Sequence, residues 1–332
     1  MHKRGSSTPQ FGLLCFLLAP GACGGQSTEN EKTNQDDPKS SETQAGTEPG
    51  NETDPGSDDG DGDGDGDPNE CSKAVEHPEW IFCDDFESDN PLVGKGRYFE
   101  AAGSDIGYTH ELGVGWLDSA AMQSQWTMGQ VDAGSLKLGF GRNPNAYMNR
   151  GIRDSEDFRE LWYRVMVKHE DGWNGDPAKL SRATVFSSSD DWSQAMIAHL
   201  WGDGSEHILL DPASCVQGSD VQCVGYNDFT KLSWLGNKAG PTAIFSTNSA
   251  DHWYCVEAHV RLDDPGQSNG LHEFWIDGQL EAQRDDLAFV HNYSAYAINA
   301  VFLENYWNDG SPQEQKRWMD NFIVSTAPIG CP

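Results

Sequence analysis

The feature that most constrains the fold is an alternation of apolar and polar residues with a period of two. In residues 253–262 (WYCVEAHVRL), every second side chain is apolar or small, and the intervening ones include Glu257, His259 and Arg261. Residues 161–169 (LWYRVMVKH) alternate in the same way. Because successive side chains of a β-strand point to opposite faces, each segment predicts a strand with one core face and one outer face.

Turn residues separate further strand candidates along the chain. Asp277-Gly278 is a hairpin signal that closes the strand candidate 272–280. No sustained helical period appears, and no glycine-rich motif links a strand to a helix. We therefore predict an all-β, two-sheet sandwich whose inner faces are dry and whose outer faces meet solvent or a ligand groove. The remaining strand candidates are 80–87, 135–140, 183–188, 194–201, 207–211, 242–246, 296–304 and 317–326.

The first 23 residues have the pattern of a secretory signal. A basic start (MHKR) precedes a short apolar run and small residues that end at Cys23. Residues 20–23 (PGAC) resemble the bacterial lipobox, although Pro20 stands where leucine is usual, and this resemblance implies lipidation of Cys23. The alternative is ordinary cleavage that leaves Cys23 free or paired. Resemblance to lipoproteins implies a membrane anchor and a location at the outer membrane, the cell surface or in the periplasm.

Residues 24–70 form a predicted disordered acidic linker. They hold 15 Asp/Glu, 2 Lys and no aromatic residue, so they cannot bury enough apolar surface to offset the entropy lost on folding. Within them, residues 59–70 match the ligand spacing of an EF-hand calcium loop. The preceding residues cannot form the flanking helix that such a loop needs, so we interpret the match as a solvated spacer.

Residues 71–332 form the predicted globular domain and contain all 12 tryptophans. Their 38 acidic and 18 basic residues argue against a nucleic-acid partner, since such binding requires a basic surface. An even cysteine count in an exported chain predicts three disulfides, and no C-x-x-C pair supports a zinc site. Cys215 and Cys223 are predicted to pair across a short loop. The other four cysteines, whose pairing stays open, are Cys71, Cys83, Cys255 and Cys331.

Four motifs follow one another in an order typical of one superfamily. They are 176–180 (DPAKL), 191–195 (DWSQA), 275–278 (WIDG) and 317–322 (RWMDNF). This order is similar to that of alginate-lyase-like and glucuronan-lyase-like proteins of the concanavalin A-like superfamily. The resemblance covers most of residues 80–326. It implies a jelly roll that acts on an extracellular polysaccharide by β-elimination.

The resemblance places Lys179 and Ser193 at catalytic positions. A lyase must neutralise a carboxylate, remove a proton and protonate the leaving oxygen, and His199 and His207 are further candidates for these roles. The arginine and tyrosines of the lyase pattern are missing, since Ala195 stands at the arginine position. A structural role for each histidine is therefore the alternative. For the whole domain, the alternatives are a non-catalytic glycan-binding or adhesion module and a structural envelope protein.

The outer faces of two strands carry a predicted sugar-binding set. Indole rings stack on sugar C–H surfaces and polar neighbours bind hydroxyls; the alternative is that the tryptophan of the set packs under a loop. A retaining hydrolase is not expected, because Glu273 and Asp277 lie about 13 Å apart along one strand at about 3.3 Å per residue. The set is Trp275, Glu257, His259, Arg261 and Glu273.

Acidic residues near the two ends of the domain predict a structural calcium site. The first and last strands of this fold often pair, which would bring Asp84, Asp85 or Glu87 near Asp320 and Asn321. Oxygen ligands of this kind suit calcium. The alternative is that these charges protect an edge strand from aggregation.

Overall fold

The computed structural model describes residues 67–102, 106–109 and 112–332. The predicted signal peptide, its lipidation at Cys23 and nearly all of the predicted linker lie outside the described residues. None of the helices in the described part of the chain combines the length and the hydrophobicity needed to cross a lipid bilayer.

The described residues form β-strands and three short 3₁₀ helices. The helices are Glu70–Glu76, Trp116–Asp118 and Thr247–Ser249. The strands are β1 (Trp80–Asp84), β2 (Glu100–Ala102), β3 (Ile106–Thr109), β4 (Ala121–Trp126), β5 (Asp132–Gly139), β6 (Glu160–His169), β7 (Lys179–Phe186), β8 (Gln194–Gly202), β9 (Ile208–Ser214), β10 (Val216–Gln217), β11 (Asp220–Val221), β12 (Ser233–Trp234), β13 (Lys238–Ala239), β14 (Trp253–Arg261), β15 (Gly270–Ile276), β16 (Gln279–Leu287), β17 (Ala300–Tyr306) and β18 (Gln315–Ser325).

The strands build two antiparallel sheets that pack on one core. Sheet I has the order β16-β15-β14-β6-β18-β4-β3, with β1 paired to β18. Sheet II has the order β12-β9-β8-β7-β17-β5-β2, with β13 paired to β9. The first and last strands of the domain therefore pair, as predicted. These observations confirm the predicted all-β jelly-roll sandwich.

The predicted alternation decides which residues enter the core. Val256, Ala258 and Val260 of β14 are buried between the sheets. In β6 the inward residues are Leu161, Tyr163, Val165 and Val167. Burial of one such side chain contributes about 1.5–3 kcal/mol, so the shared core holds the two layers together. The intervening residues of these strands therefore point to the outer faces.

The strand predicted at 242–246 is wrong. Ile244 and Phe245 are fully buried, but they lie in a turn that leads into the 3₁₀ helix Thr247–Ser249. The apolar run fills the core from a loop. Its backbone hydrogen bonds are local, from Ile244 to Thr242 and from Ser246 to Ala243, except for one from Phe245 to Glu206. Short apolar segments of this kind do not distinguish a strand from a core-filling loop.

All three predicted disulfides form, including Cys215–Cys223. Cys71–Cys83 ties the first 3₁₀ helix to β1. Cys255–Cys331 ties the C-terminal residues to β14 across 76 positions. Cross-links of this kind stabilise a fold mainly by restricting the unfolded chain.

Three histidines are fully buried in the described part of the chain. They are His169, His199 and His272. Both ring nitrogens of His272 lack a hydrogen-bond partner, and burial lowers the pKa of His272 to about 3. Burial also holds the pKa of His169 and of His199 well below its ordinary value. The folded protein therefore carries these rings in the neutral form.

The buried state of His272 predicts acid sensitivity. Its pKa is about 3 in the folded chain against an ordinary 6.5, so between these values the unfolded chain binds more protons and stability falls as the pH falls. We expect His272→Leu to flatten the pH dependence of the free energy of unfolding in this window by ~1.4 kcal/mol per pH unit. Urea unfolding of both proteins across that window measures the difference, and parallel curves would contradict it.

Candidate functional site

A row of side chains crosses the outer face of sheet II. Strand pairing sets Lys137 opposite Phe302, Phe302 opposite Arg182, and Arg182 opposite His199. Asp211 continues the row beside His199. Neighbouring strands lie about 4.8 Å apart, so Lys137 and Arg182 stand about 10 Å apart along the row. The sheet thus presents two cationic groups on one outward surface.

Arg182 and Glu304 form a buried ion pair on this surface. The Nε atom of Arg182 donates to Oε2 of Glu304 at 2.7 Å, and Nη2 donates to the other carboxylate oxygen. The remaining Nη1 donates to Oδ1 of Asn227 at 2.7 Å. Burial raises the pKa of Glu304, but the charge of Arg182 outweighs burial, and the pKa of this carboxyl lies below its ordinary value. The pair is therefore a fixed, internally neutralised part of the surface.

Lys179 lies beside the Arg182–Glu304 pair, but no carboxylate of the described residues forms an ion pair with its ammonium group. It stands opposite Tyr306 in the sheet, and its Nζ lies 4.1 Å from the centre of the Tyr306 ring. By contrast, Lys137 forms an ion pair with Glu100. Burial lowers the pKa of the Lys179 ammonium. Among the described lysines of this face, Lys179 is therefore the one best suited to lose its proton.

Three adjoining cavities run past Lys179 and form a groove on sheet II. A cavity of about 290 Å³ and one of about 250 Å³ share Lys179, Phe229 and Tyr306 in their walls. The second adjoins a cavity of about 460 Å³ through Trp201 and Asn308. Each has an opening and a mixture of aromatic and polar walls. We call this surface the sheet II groove; its central residues are Lys137, Lys179, Tyr226, Phe229, Trp234, Glu304 and Tyr306. Arg182 is fully buried and adjoins the groove through its ion pair with Glu304.

Of the four residues predicted to be catalytic, only Lys179 lines the groove. Ser193 is buried, and its Oγ accepts a hydrogen bond from the Gly225 backbone at 2.9 Å. His207 lies beside Asp203, with 3.5 Å between Nδ1 and Oδ2. Neither residue belongs to a cavity wall described above.

His199 lies on the outer face of sheet II, as the alternation requires, but it is covered. The rings of Trp201 and Trp234 lie 4.0 and 5.8 Å from the His199 ring. Its Nδ1 lies 3.0 Å from the backbone oxygen of Asp211, and its Nε2 has no partner. Buried beneath two indoles, His199 has no access to a ligand in this structure.

The groove contains residues that were not predicted as site residues from the sequence. Lys137 and Arg182 alternate with the core residues of β5 and β7, so the same period-two pattern could have identified them. Glu304 and Tyr306 alternate with Leu303 on β17 in the same way. Tyr226 lies in a loop, where no periodic signal exists.

The predicted sugar-binding set meets on the opposite side of the molecule. Glu257, His259, Glu273 and Trp275 line a cavity of about 400 Å³ on the outer face of sheet I. We call it the sheet I pocket. Its other walls are Trp162, Gly278, Pro328 and Gly330. Arg261 does not belong to it; this side chain is exposed and donates to the Asn269 backbone.

A histidine between two carboxylates forms the floor of the sheet I pocket. The His259 Nδ1 lies 2.7 Å from Oε1 of Glu273, and Nε2 lies 2.8 Å from Oε1 of Glu160. The ring of Trp162 stacks on the His259 ring at 3.9 Å. The C-terminal wall is held by Glu257, whose two oxygens accept hydrogen bonds from the backbone of Ile329 and Gly330. The pocket is thus fixed on both sides.

The predicted metal ligands do not gather at one point. Asp84 pairs with Arg97 at 2.9 Å, and Asp85 accepts a hydrogen bond from the Cys71 backbone. Within the described residues no group of three or more His, Cys, Asp or Glu side chains is arranged to hold a metal ion.

A smaller set of oxygen atoms does meet around Asp320. Burial raises the pKa of Asp320 to about 8, and the nearby charge of Glu87 adds to this shift. The Asp320 carboxylate accepts hydrogen bonds from Ser119 and the Trp116 backbone. Both side-chain amide atoms of Asn321 are buried without a partner. The other Asp320 oxygen accepts a hydrogen bond from the Asn321 backbone at 2.7 Å. Glu87 is half-buried, and its Oε1 accepts a hydrogen bond from the Ala120 backbone at 2.6 Å.

Asp67 and Glu70, the described carboxylates of the EF-hand pattern, have protein partners. Asp67 pairs with Lys73 at 2.9 Å, and Glu70 pairs with the buried Arg164. The other ligand positions of the pattern lie outside the described residues.

Comparison with known proteins finds similar structures but no similar sequence. No family profile matches the chain, and no curated protein matches it. A glucuronan lyase from the fungus Trichoderma reesei is 13% identical, covering 75% of this chain and 96% of its own, with a TM-score of 0.49. A marine alginate lyase from Aplysia kurodai is 13% identical, covering 75% and 99%, with a TM-score of 0.49. An alginate lyase from a Chlorella virus is 9% identical, covering 67% and 91%, with a TM-score of 0.45.

The Arg182–Glu304 pair provides a test of the groove's construction. Glu304→Ala leaves a buried guanidinium without its partner, and we expect a loss of about 3–5 kcal/mol in the free energy of unfolding. In the control, Asp157→Ala breaks the exposed pair with Arg142 and is expected to cost less than about 1 kcal/mol. Urea unfolding measures both. Equal losses would contradict a structural role for the buried pair.

Proposed function

We propose that the protein binds an extracellular polysaccharide in the sheet II groove and cleaves it by β-elimination next to a uronate unit. The observation that carries the proposal is the position of Lys179. The residue is half-buried, its amine has no carboxylate within ion-pair distance among the described residues, and it lies against Tyr306 in an open groove.

The aromatic side chains of the groove support a sugar ligand. Tyr226, Phe229 and Trp234 are 37%, 47% and 43% exposed, although large rings are ordinarily buried. Their faces offer stacking surfaces for the C–H faces of pyranose rings. Polar groups between them, such as Asn227 and Asn305, supply hydrogen bonds to hydroxyls. Aromatic walls with a few fixed polar groups are typical of small-ligand and sugar sites.

Lys179 and Tyr306 suit the two proton transfers of β-elimination. In this proposal the neutral amine of Lys179 takes the proton from C5 of the uronate, and the C5–H electron pair forms the C4–C5 double bond. The C4–O4 bond breaks, and the departing oxygen takes a proton from the Tyr306 hydroxyl. Transfer of a proton from the Lys179 ammonium to the Tyr306 phenolate then restores both groups. A lysine with a lowered pKa is the kind of general base this step requires.

The uronate carboxylate would face Lys137, and the buried Arg182 stands two strands away in the same row. Their positive charge favours the anion that develops as C5 loses its proton. Both cations already have carboxylate partners, Glu100 and Glu304. The groove therefore has little net positive charge, and a uronate would be held by the individual cations close to it. Binding of a uronate would therefore depend on the local positions of these charges and not on long-range electrostatic attraction.

One observation favours a second candidate function, a non-catalytic glycan-binding module. The guanidinium that adjoins the groove, that of Arg182, is fully buried, and each of its three nitrogens already donates to Glu304 or Asn227. A lyase without a free guanidinium depends on Lys137 and Lys179 alone to neutralise the carboxylate. A binding module needs only the exposed rings and the polar groups between them.

A lysine substitution distinguishes the two functions. Lys179→Met removes the proposed base and keeps an unbranched apolar side chain, so we expect elimination to slow by about 10²–10⁴-fold. Lys238→Met is the control, since Lys238 is exposed on β13 and does not line the groove. The measurement is ultraviolet absorbance of unsaturated uronate ends on alginate, glucuronan and uronate-containing heteropolysaccharides.

Each outcome decides between the candidates. Cleavage that survives Lys179→Met would refute the proposed base. No cleavage by the wild-type protein, combined with retarded migration in gels containing the glycan, would establish the binding module instead.

We further propose that a structural calcium ion lies at Asp320, with Glu87 and the Asn321 amide oxygen as additional ligands. Oxygen donors of this type fit calcium, which takes six to eight of them. A buried carboxylate whose pKa is raised by its surroundings and an unpartnered amide oxygen support the assignment. The ion would tie the last strand to the segment that follows the first.

Calcium should then stabilise the protein through Asp320. At a calcium concentration of about 100 times Kd, the expected gain is ~2.7 kcal/mol, seen as a higher Tm than in chelator. Asp320→Ala should lose this gain. Asp84→Asn should keep it, because Asp84 serves Arg97 instead. Equal calcium responses in wild type and Asp320→Ala would exclude the site.

We also propose that the protein is exported and anchored by a lipid on Cys23. Three disulfides among the described residues support an oxidising compartment, since such bonds persist there and are rare in the reducing cytosol. An anchored domain facing the cell exterior would meet polysaccharide directly.

A further inference from the structure

The sheet I pocket lies on the face of the sandwich opposite the groove. The two sheets pack about 10 Å apart, with a dry core between them, so no single sugar unit can reach both places. With a volume of about 400 Å³, the pocket falls within the range of about 300–1,000 Å³ that small-molecule sites occupy. A ligand bound there would be separate from one bound in the groove.

The charges of the sheet I pocket are nearly all negative. Among its described walls, Glu257 and Glu273 are acidic, and neither lysine nor arginine lines it. Glu160 adds a third carboxylate through His259. The nearby Arg164 is buried and directs its guanidinium to Glu70 and to backbone oxygens. The pocket therefore disfavours an anion and favours a cation.

The carboxylates of the pocket are not equally available. Glu257 has both oxygens committed to the backbone of Ile329 and Gly330, which fixes the C-terminal wall. Glu273 uses only Oε1, in its contact with His259. Because a carboxylate accepts hydrogen bonds at both oxygens, Oε2 of Glu273 is the acceptor that an incoming ammonium group would find.

Two indoles complete the pocket's chemistry. Trp162 and Trp275 both line it, and Trp162 is immobilised by stacking on His259. Indole faces attract cations and pack against C–H surfaces. The ligand that fits carboxylates and indoles together is a positive charge carried on a C–H-rich ring.

We propose that the sheet I pocket binds a cationic amino sugar, namely a glucosamine unit of a glycan whose amine is not acetylated. Its ammonium group contacts Glu273, and its pyranose ring packs on Trp275. Glu257 acts as a positioning residue, because it holds the C-terminal wall. The inference does not rest on the activity proposed for the groove.

The test compares glycans that differ only in the ammonium group. Deacetylated chitosan oligosaccharide, its N-acetylated counterpart and a neutral cello-oligosaccharide of equal length are titrated into the purified protein by calorimetry. Spermidine is a fourth ligand, which carries ammonium groups without a sugar ring. We expect clear binding of the deacetylated oligosaccharide, binding at least about tenfold weaker for the other three, and weakening as salt rises.

Substitutions locate the binding. Glu273→Gln keeps a hydrogen-bonding side chain for His259 but removes the charge, and we expect about a tenfold or greater loss of affinity. Asp285→Asn is the matched control, since it removes an exposed charge from the same sheet outside the pocket. Thermal unfolding confirms that each variant is folded. Trp275→Ala provides a second loss that does not depend on charge.

The outcomes are separable. Equal affinity for acetylated and deacetylated oligosaccharides, unchanged binding in Glu273→Gln, or no binding to the deacetylated form would each overturn the proposal. Spermidine binding as tightly as the oligosaccharide would overturn the sugar assignment and leave a simple amine site. Cleavage assays on uronate polymers are read independently, so failure of the groove's activity leaves this test intact.

Discussion

The packing of sheet I on sheet II is the constraint from which the rest of the structure follows. Residues such as Val256 and Leu161 must be buried between the sheets, so their neighbours in sequence are forced outward. A β-sandwich built in this way has two outer faces, each carrying whatever polar and aromatic residues the alternation leaves there. Outward strand residues form the base of both the groove and the pocket, and loop residues such as Tyr226 and Pro328 complete their walls.

The two outer faces differ in the balance and pairing of their charged side chains. On sheet II, positive groups are matched by acidic partners, as in Arg182–Glu304 and Lys137–Glu100. Lys179 is the exception, because its main neighbour is an aromatic ring. On sheet I the carboxylates around His259 outnumber the cations. The side where a uronate is proposed to bind therefore differs from the opposite side in its local pairing of charges.

Period-two patterns predicted the fold class and most long strands, because burial on one face enforces them. The same pattern could identify outward residues such as Arg182, but it could not tell which face of which sheet becomes a groove. His199 shows this limit, since two indoles from β8 and β12 cover it. Ser193 shows another, because this residue matches the motif but lies buried in the loop before β8. Strand order and loop covering depend on contacts between distant residues, which local sequence does not contain.

The C-terminal residues form one wall of the sheet I pocket, and this affects how the protein can be modified. Residues 328–330 border the sheet I pocket. The Glu257 carboxylate accepts hydrogen bonds from their backbone, and Cys331 is cross-linked to β14. A purification tag fused after Pro332 would begin two residues beyond Gly330, which lines that cavity, and removal of the final few residues would remove one of its walls. Recombinant versions are better modified at the other end, so that ligand screens sample the native opening.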